Sequence, residues 1–200
     1  FTEGYGLNRN AVHKLAKQGA SVLITADCGT SSVEEIALAN KLGIDVIVID
    51  HHTVPEKLPP ALAVINPKRP DSLYPFREMA AVGVAFRFLE SFFASKKITF
   101  PANELIDLVA LGTVVDVAPL IDENRTIVKA GLEIMTSQPR TGILSLSQTA
   151  KIKNQLSAEQ LAFALGPRLN AAGRLAHASL AFDLLTTSKQ QISRELSEKL

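Results

Sequence analysis

The stretch Asp45-Val-Ile-Val-Ile-Asp-His-His52 constrains this chain more than any other. Residues 46–49 are aliphatic, rich in β-branching and bounded by polar residues, the pattern of a short strand buried on both faces. Strands of that kind belong to parallel sheets flanked by helices, so an α/β fold is expected. Ending on Asp50, His51 and His52, the strand carries these side chains to the carboxyl edge of the sheet, where open α/β folds place ligands. One polar residue there would serve as a cap. An acid with two of the chain's four histidines suits a divalent cation better, since imidazole plus carboxylate is a metal-ligand set.

Residues 21–27, Ser-Val-Leu-Ile-Thr-Ala-Asp, also read as a buried strand ending on an acid. Between the two strands, residues 33–42 carry Ile36, Ala37 and Leu38 inward on a helix. Ser32 and Glu35 have capping-box spacing, and Gly43 stands past the end. A strand–helix–strand unit of this length fits a parallel crossover, and it sets Asp27 and Asp50 at equivalent strand ends. Upstream, residues 7–18 have a moderate helical pattern. Downstream, residues 52–60 hold three prolines and read as a loop, before Leu62-Ala-Val-Ile65 forms another strand of the same sheet.

An apolar helical pattern covers residues 79–93, and the second half is mostly helical, with further patterns over residues 103–111, 124–135, 141–149, 161–165, 176–185 and 191–200. Asp116, in Gly-Thr-Val-Val-Asp-Val, lies in an otherwise apolar run. If buried, it is expected to be paired, protonated or bound to a cation; an aspartate hydrogen-bonded in a turn is the equal alternative. Residues 166–174, Gly-Pro-Arg-Leu-Asn-Ala-Ala-Gly-Arg, bring two arginines suited to phosphate oxygens, and a helix here would put Asn170 and Arg174 on one face.

Composition narrows the setting. Two hundred residues, 46% hydrophobic, support one large domain or one domain and part of another, and no apolar run has the length of a membrane span. The start, Phe-Thr-Glu-Gly-Tyr-Gly-Leu, lacks the features of a signal peptide. A single cysteine, Cys28, excludes an internal disulfide and fits a reducing, cytoplasmic setting. With a net charge of +1, any hold on a polyanion must come from local basic groups and metal ions. The chain starts without methionine and stops inside a helical pattern, so it reads as a piece of a longer protein.

Asp27, His51 and Asp116, with Asp50 and His52 beside them, make a mixed nitrogen and oxygen donor set without cysteine pairs at zinc-finger spacing. All-oxygen sites suit Mg²⁺, and imidazole moves the preference towards Mn²⁺. The chemistry that most needs such a set is phosphate ester hydrolysis, in which two metals about 3.5–4 Å apart activate water and hold developing charge. Asp27 is a candidate bridge between them. His52, Arg168 and Arg174 are left to grip phosphate.

Ala-Asp27-Cys-Gly, Val-Ile-Asp50-His51-His52, Gly-Thr-Val-Val-Asp116-Val and the 166–174 segment together resemble the DHH phosphoesterase superfamily. Within it they are similar to the RecJ family of bacterial single-strand-specific 5′→3′ DNA exonucleases. Residues 3–7, Tyr74-Pro-Phe76 and Val82-Gly-Val-Ala-Phe86 extend the likeness over nearly the whole chain, although Ala81 stands where the family pattern has glycine. The resemblance implies Mn²⁺ or Mg²⁺ as cofactor. Asp27 would bridge metals, and His51 and Asp116 would ligate metal. Asp50 would orient the site, His52 would face the scissile phosphate, and Arg168, Asn170 and Arg174 would contact substrate. It implies single-stranded DNA as substrate, roles in recombination and repair, and single-strand-binding protein and a helicase as partners. Residues 1–120 would be the C-terminal part of the DHH domain, and residues 121–200 a helical region leading towards a DHH-associated domain. The family's first Asp-rich motif would precede Phe1, so this stretch alone is expected to lack efficient exonuclease activity. Two other readings remain open: a small DHH phosphatase or oligoribonuclease acting on nucleotides, and a non-catalytic RecJ-like scaffold.

Overall fold

The computed structural model describes residues 6–175 and 177–200, the side chains of residues 174 and 175 excepted. The chain forms two compact units, Phe1–Phe100 and Pro101–Leu200.

In the first unit, α1 (Arg9–Lys17) leads to β1 (Val22–Ala26), α2 (Val33–Lys41), β2 (Asp45–Ile49), β3 (Ala63–Ile65) and α3 (Ala81–Ser95). The strands form a parallel sheet in the order β1-β2-β3, with Val22 opposite Asp45, Ala26 opposite Ile49 and Ile49 opposite Ile65. The parallel α/β expectation holds. The crossover from β1 to β2 is the expected helix. The one from β2 to β3 is irregular, because Pro55, Pro59 and Pro60 remove donors and fix φ along it.

Strand β2 is buried on both faces, as its aliphatic run requires. Val46 and Val48 join Val12, Ile36, Ala39 and Ile44 in one cluster, while Ile49 packs with Phe76, Met79 and Val84 in another. β1 departs from the expectation of a buried strand: Val22 and Ile24 are each 54% exposed. It is the outer strand of the described sheet. Only the face bearing Leu23, which packs on the α1–α2 cluster, is covered. The capping box expected at Ser32 does not form either. Ser32 sits at ψ 55°, away from the extended geometry of a cap, and its hydroxyl makes no capping bond.

The second unit is helical: α4 (Ala102–Val115), α5 (Asp122–Ser137), α6 (Thr141–Thr149) and α7 (Ala158–Gln160), then a π-helical turn (Leu161–Leu165), α8 (Gly166–Leu175), α9 (Ser179–Thr186) and α10 (Gln190–Ser197). Its core gathers Ala110, Leu111, Val114, Val128, Ile143, Leu161, Leu165 and Leu184. Arg140, ahead of α6, holds three elements together. Its guanidinium makes a fork to the buried Asp107 of α4 (2.8 and 3.0 Å) and also donates to the carbonyls of Glu104 and Leu185. Among the described residues, no helix is long and apolar enough to cross a membrane.

Candidate metal centre

The sheet ladder runs to the last residue of each strand: the Asp27 amide donates to Ile49 O and the Asp50 amide to Ile65 O, both at 3.0 Å. Beyond that edge the chain turns sharply. Asp27 takes a left-handed conformation (φ 62°), which aspartate tolerates better than most residues. Gly29 sits at φ +112°, and a Cβ there would lie 2.6 Å from Thr25 Oγ1 and 3.2 Å from Val48 Cγ1. Only glycine fits, and the tight turn delivers the Thr30 amide to Asp50 Oδ2 at 3.0 Å.

Asp50 is the buried centre of the arrangement, 1% exposed. Its Oδ1 accepts from the His51 amide (2.8 Å), the His52 amide (3.3 Å) and His52 Nδ1 (2.7 Å). Burial pushes its carboxyl up, but the bonds from His52, Thr30 and His51 outweigh that and hold it at about 2, below the ordinary 3.8. An ionised Asp50 only accepts, so His52 donates to it through Nδ1.

Above Asp50 lie the groups able to hold a cation. His51 Nε2 is 3.3 Å from Asp27 Oδ1, and His52 Nδ1 is 3.9 Å from the same oxygen. One donor atom from each of Asp27, His51 and His52 falls within 4.8 Å of the others. An imidazole and a carboxylate 3.3 Å apart, with a second imidazole alongside whose Nδ1 is turned to Asp50, fit a divalent transition ion. Burial, then the charges of Asp50 and Asp27, raise the pKa of Cys28 beside this cluster.

The sequence reading passed over Asn66. It is 4% exposed, follows β3 at the same edge, and donates through Nδ2 to His52 O (3.0 Å) and Thr30 Oγ1 (3.1 Å). It ties the segment after β2 to the turn after β1. The signal was present: three successive strands each end on a residue with a carboxylate or amide side chain, Asp27, Asp50 and Asn66.

The remaining candidates belong to the second unit. Asp116 caps the C-terminus of α4 and is exposed, so the buried reading of this residue does not hold. The apolar run around it is the last turn of a helix buried for most of its length, and Asp116 falls where that helix ends. Arg168 is half-buried and donates to Ala164 O at 3.1 Å, and Asn170 is exposed on α8. The Arg174 side chain lies outside the described residues.

The sequence profile of the DHH family, N-terminal domain, matches residues 4–113. The chain belongs to the DHH family. Its curated relatives include the single-stranded-DNA-specific exonuclease RecJ of Bacillus subtilis, 39% identical over all of this chain and 25% of the relative's length. RecJ of Escherichia coli is 41% identical over all of this chain and 37% of its own length. A crystal structure of exonuclease RecJ bound to manganese superposes with a TM-score of 0.86 at 33% identity, covering 98% of this chain and 49% of that one. This DHH chain thus spans between a quarter and about two fifths of the length of these two curated relatives.

Proposed function

We propose that the protein to which this chain belongs is a metal-dependent exonuclease that hydrolyses phosphodiester bonds of single-stranded DNA from the 5′ end, in recombination and repair. One observation carries the reading: Asp27, His51 and His52 converge within 4.8 Å over a buried, ionised Asp50. The RecJ likeness supplies the substrate class, and the manganese-bound relative favours Mn²⁺, with Mg²⁺ as the alternative ion.

In this reading Asp27 and His51 hold metal, and Asp116 contributes a further carboxylate. The bound metal supplies an activated water and charge neutralisation at the phosphate. Asp50 fixes the position of His52, whose Nε2 faces the scissile phosphate. Arg168, Asn170 and Arg174 contact the substrate backbone, guanidinium being the better fork for phosphate oxygens. The functional division would place residues 1–120 in the DHH domain and residues 121–200 in a helical region beyond it. A cytoplasmic setting, with single-strand-binding protein and a helicase as partners, completes the proposal.

The test uses the protein at its natural length with 5′-labelled single-stranded and duplex DNA, with and without Mn²⁺, beside an Asp116→Ala variant. The reading requires manganese-dependent release of 5′ nucleotides from single strands only, lost in the variant. Intact DNA with hydrolysis of dinucleotides would move the assignment to a small phosphoesterase. Inactivity on both, with single strands still bound, would make it a scaffold.

A further inference from the structure

We infer that Gly166 is a positioning residue: its missing side chain lets the end of α4 seat on the turn before α8, and this seating fixes Asp116 relative to Arg168. The inference rests on the function proposed above. The local geometry starts from Pro167. Inside a helix a proline cannot donate, and its ring collides with the carbonyl four residues back, here Phe163. The chain responds by widening into the π-helical turn Leu161–Leu165, with the Gly166 amide donating to Leu161 O. The Arg168 guanidinium then turns back to bond Ala164 O within this widened turn.

Gly166 is buried at the junction of that turn and α8. A Cβ on it would lie 2.7 Å from Val115 Cγ2, 3.4 Å from Cγ1 and 3.0 Å from Leu161 O. Val115 is β-branched and stiff at χ1, so its methyls do not simply swing aside and the backbone on one side of the contact has to shift. Asp116 is the next residue. On its other side Val117 is left-handed (φ 59°) and the Ala118 amide closes onto Thr113 O (3.2 Å), so Asp116 has no slack to absorb a shift. The two groups proposed to meet metal and phosphate are therefore built on one close contact, with Asp116 one residue from Val115 and Arg168 two residues from Gly166.

The experiment is Mn²⁺ binding, followed by electron paramagnetic resonance of the free ion, together with the Mn²⁺ dependence of hydrolysis. It uses the full-length protein carrying Gly166→Ala, Val115→Ala, the double variant or Asp116→Asn. Gly166→Ala is expected to weaken Mn²⁺ binding by about tenfold or more, the scale seen when groups supporting a metal ligand are disturbed. Adding Val115→Ala removes the colliding methyls and is expected to restore binding to within a few-fold. A merely structural glycine would lower thermal stability and leave the Mn²⁺ constant in place. That outcome, or a double variant no better than Gly166→Ala, overturns the inference. Should Gly166→Ala not fold, Val115→Ala decides: it loosens the same contact and must weaken Mn²⁺ binding, and a wild-type constant overturns the inference. Asp116→Asn separates the two levels. If it binds Mn²⁺ like the wild type, the assignment of Asp116 as a ligand fails and takes this inference with it; if it is impaired while Gly166→Ala is not, the inference alone fails.

Discussion

Replacing Asp50 by asparagine tests whether the site is organised from below. The side chain keeps its shape, so packing is nearly unchanged, but one oxygen becomes an NH₂ group. If the remaining oxygen stays towards His51 and His52, the NH₂ faces the Thr30 amide and the 3.0 Å bond to Oδ2 becomes two donors in opposition. A hydrogen bond to a charged group contributes about 1.5–3 kcal/mol, and the three bonds to Oδ1 weaken as their acceptor loses charge. Protonation linkage gives an independent figure. A carboxyl lowered from 3.8 to about 2 on folding stabilises the native state by about 2 kcal/mol.

The sign follows from the direction of that shift. Asp50 is more acidic folded than unfolded, so its contribution is complete above the unfolded value near 3.8 and is lost as pH falls towards 2. Urea unfolding in EDTA, followed by far-ultraviolet circular dichroism, should find Asp50→Asn about 2–3 kcal/mol less stable at neutral pH. The gap should narrow as pH falls below 4, because the wild-type carboxyl protonates and the asparagine does not. A difference under about 0.5 kcal/mol at neutral pH, or one that stays constant into acid, would refute the claim that the Asp50 charge holds this edge together.

Asp27→Asn is expected to separate metal from fold: asparagine tolerates the left-handed backbone at φ 62°, so stability should change by less than about 0.5 kcal/mol while calorimetric Mn²⁺ binding falls at least about tenfold. Arg140→Met leaves the Asp107 carboxylate buried without its cation and should cost about 3–5 kcal/mol in urea unfolding, with the double variant Asp107→Leu, Arg140→Met recovering a large part. Val117 is a β-branched residue in a left-handed conformation, 85% exposed, so Val117→Asn should raise unfolding stability by about 1 kcal/mol through relief of strain alone.

What the sequence disclosed follows the range of the interactions involved. β2 announced itself because both of its faces are buried, so four aliphatic residues in a row have one reading. α6 appeared where expected, and the Ser157 capping box, formed through Ser157 Oγ and Gln160 Oε1, is equally local, joining residues within one turn of each other. β1 misled because its residues resemble those of β2, and exposure of Val22 and Ile24 depends on which elements cover the sheet. Asp116 misled for a related reason. Its neighbours in sequence are apolar, but α4 ends at Val115, so Val114 lies in the core while Asp116 caps the helix at its exposed end. The π-turn before α8 has a local cause, Pro167, while its packing against Val115 joins residues some fifty positions apart and leaves no pattern in either segment.

The site shows the same division within a single cluster. Asp27, Asp50, His51 and His52 were legible because strand ends on one edge of a parallel sheet are neighbours by construction. Their hydrogen-bond partners and burial were not legible, since those follow from angles and distances. Asp50 and His52 differ by two residues, yet the first is buried with bonds to both of its oxygens and the second is half exposed with Nδ1 turned to the acid. Placing a carboxylate one residue before the His-His pair allows this. Main-chain amides at His51 and His52 can fold back onto Asp50 only from those positions, so the triplet is compact in sequence for the reason it works in space: the acid is solvated by the backbone of the histidines it orients.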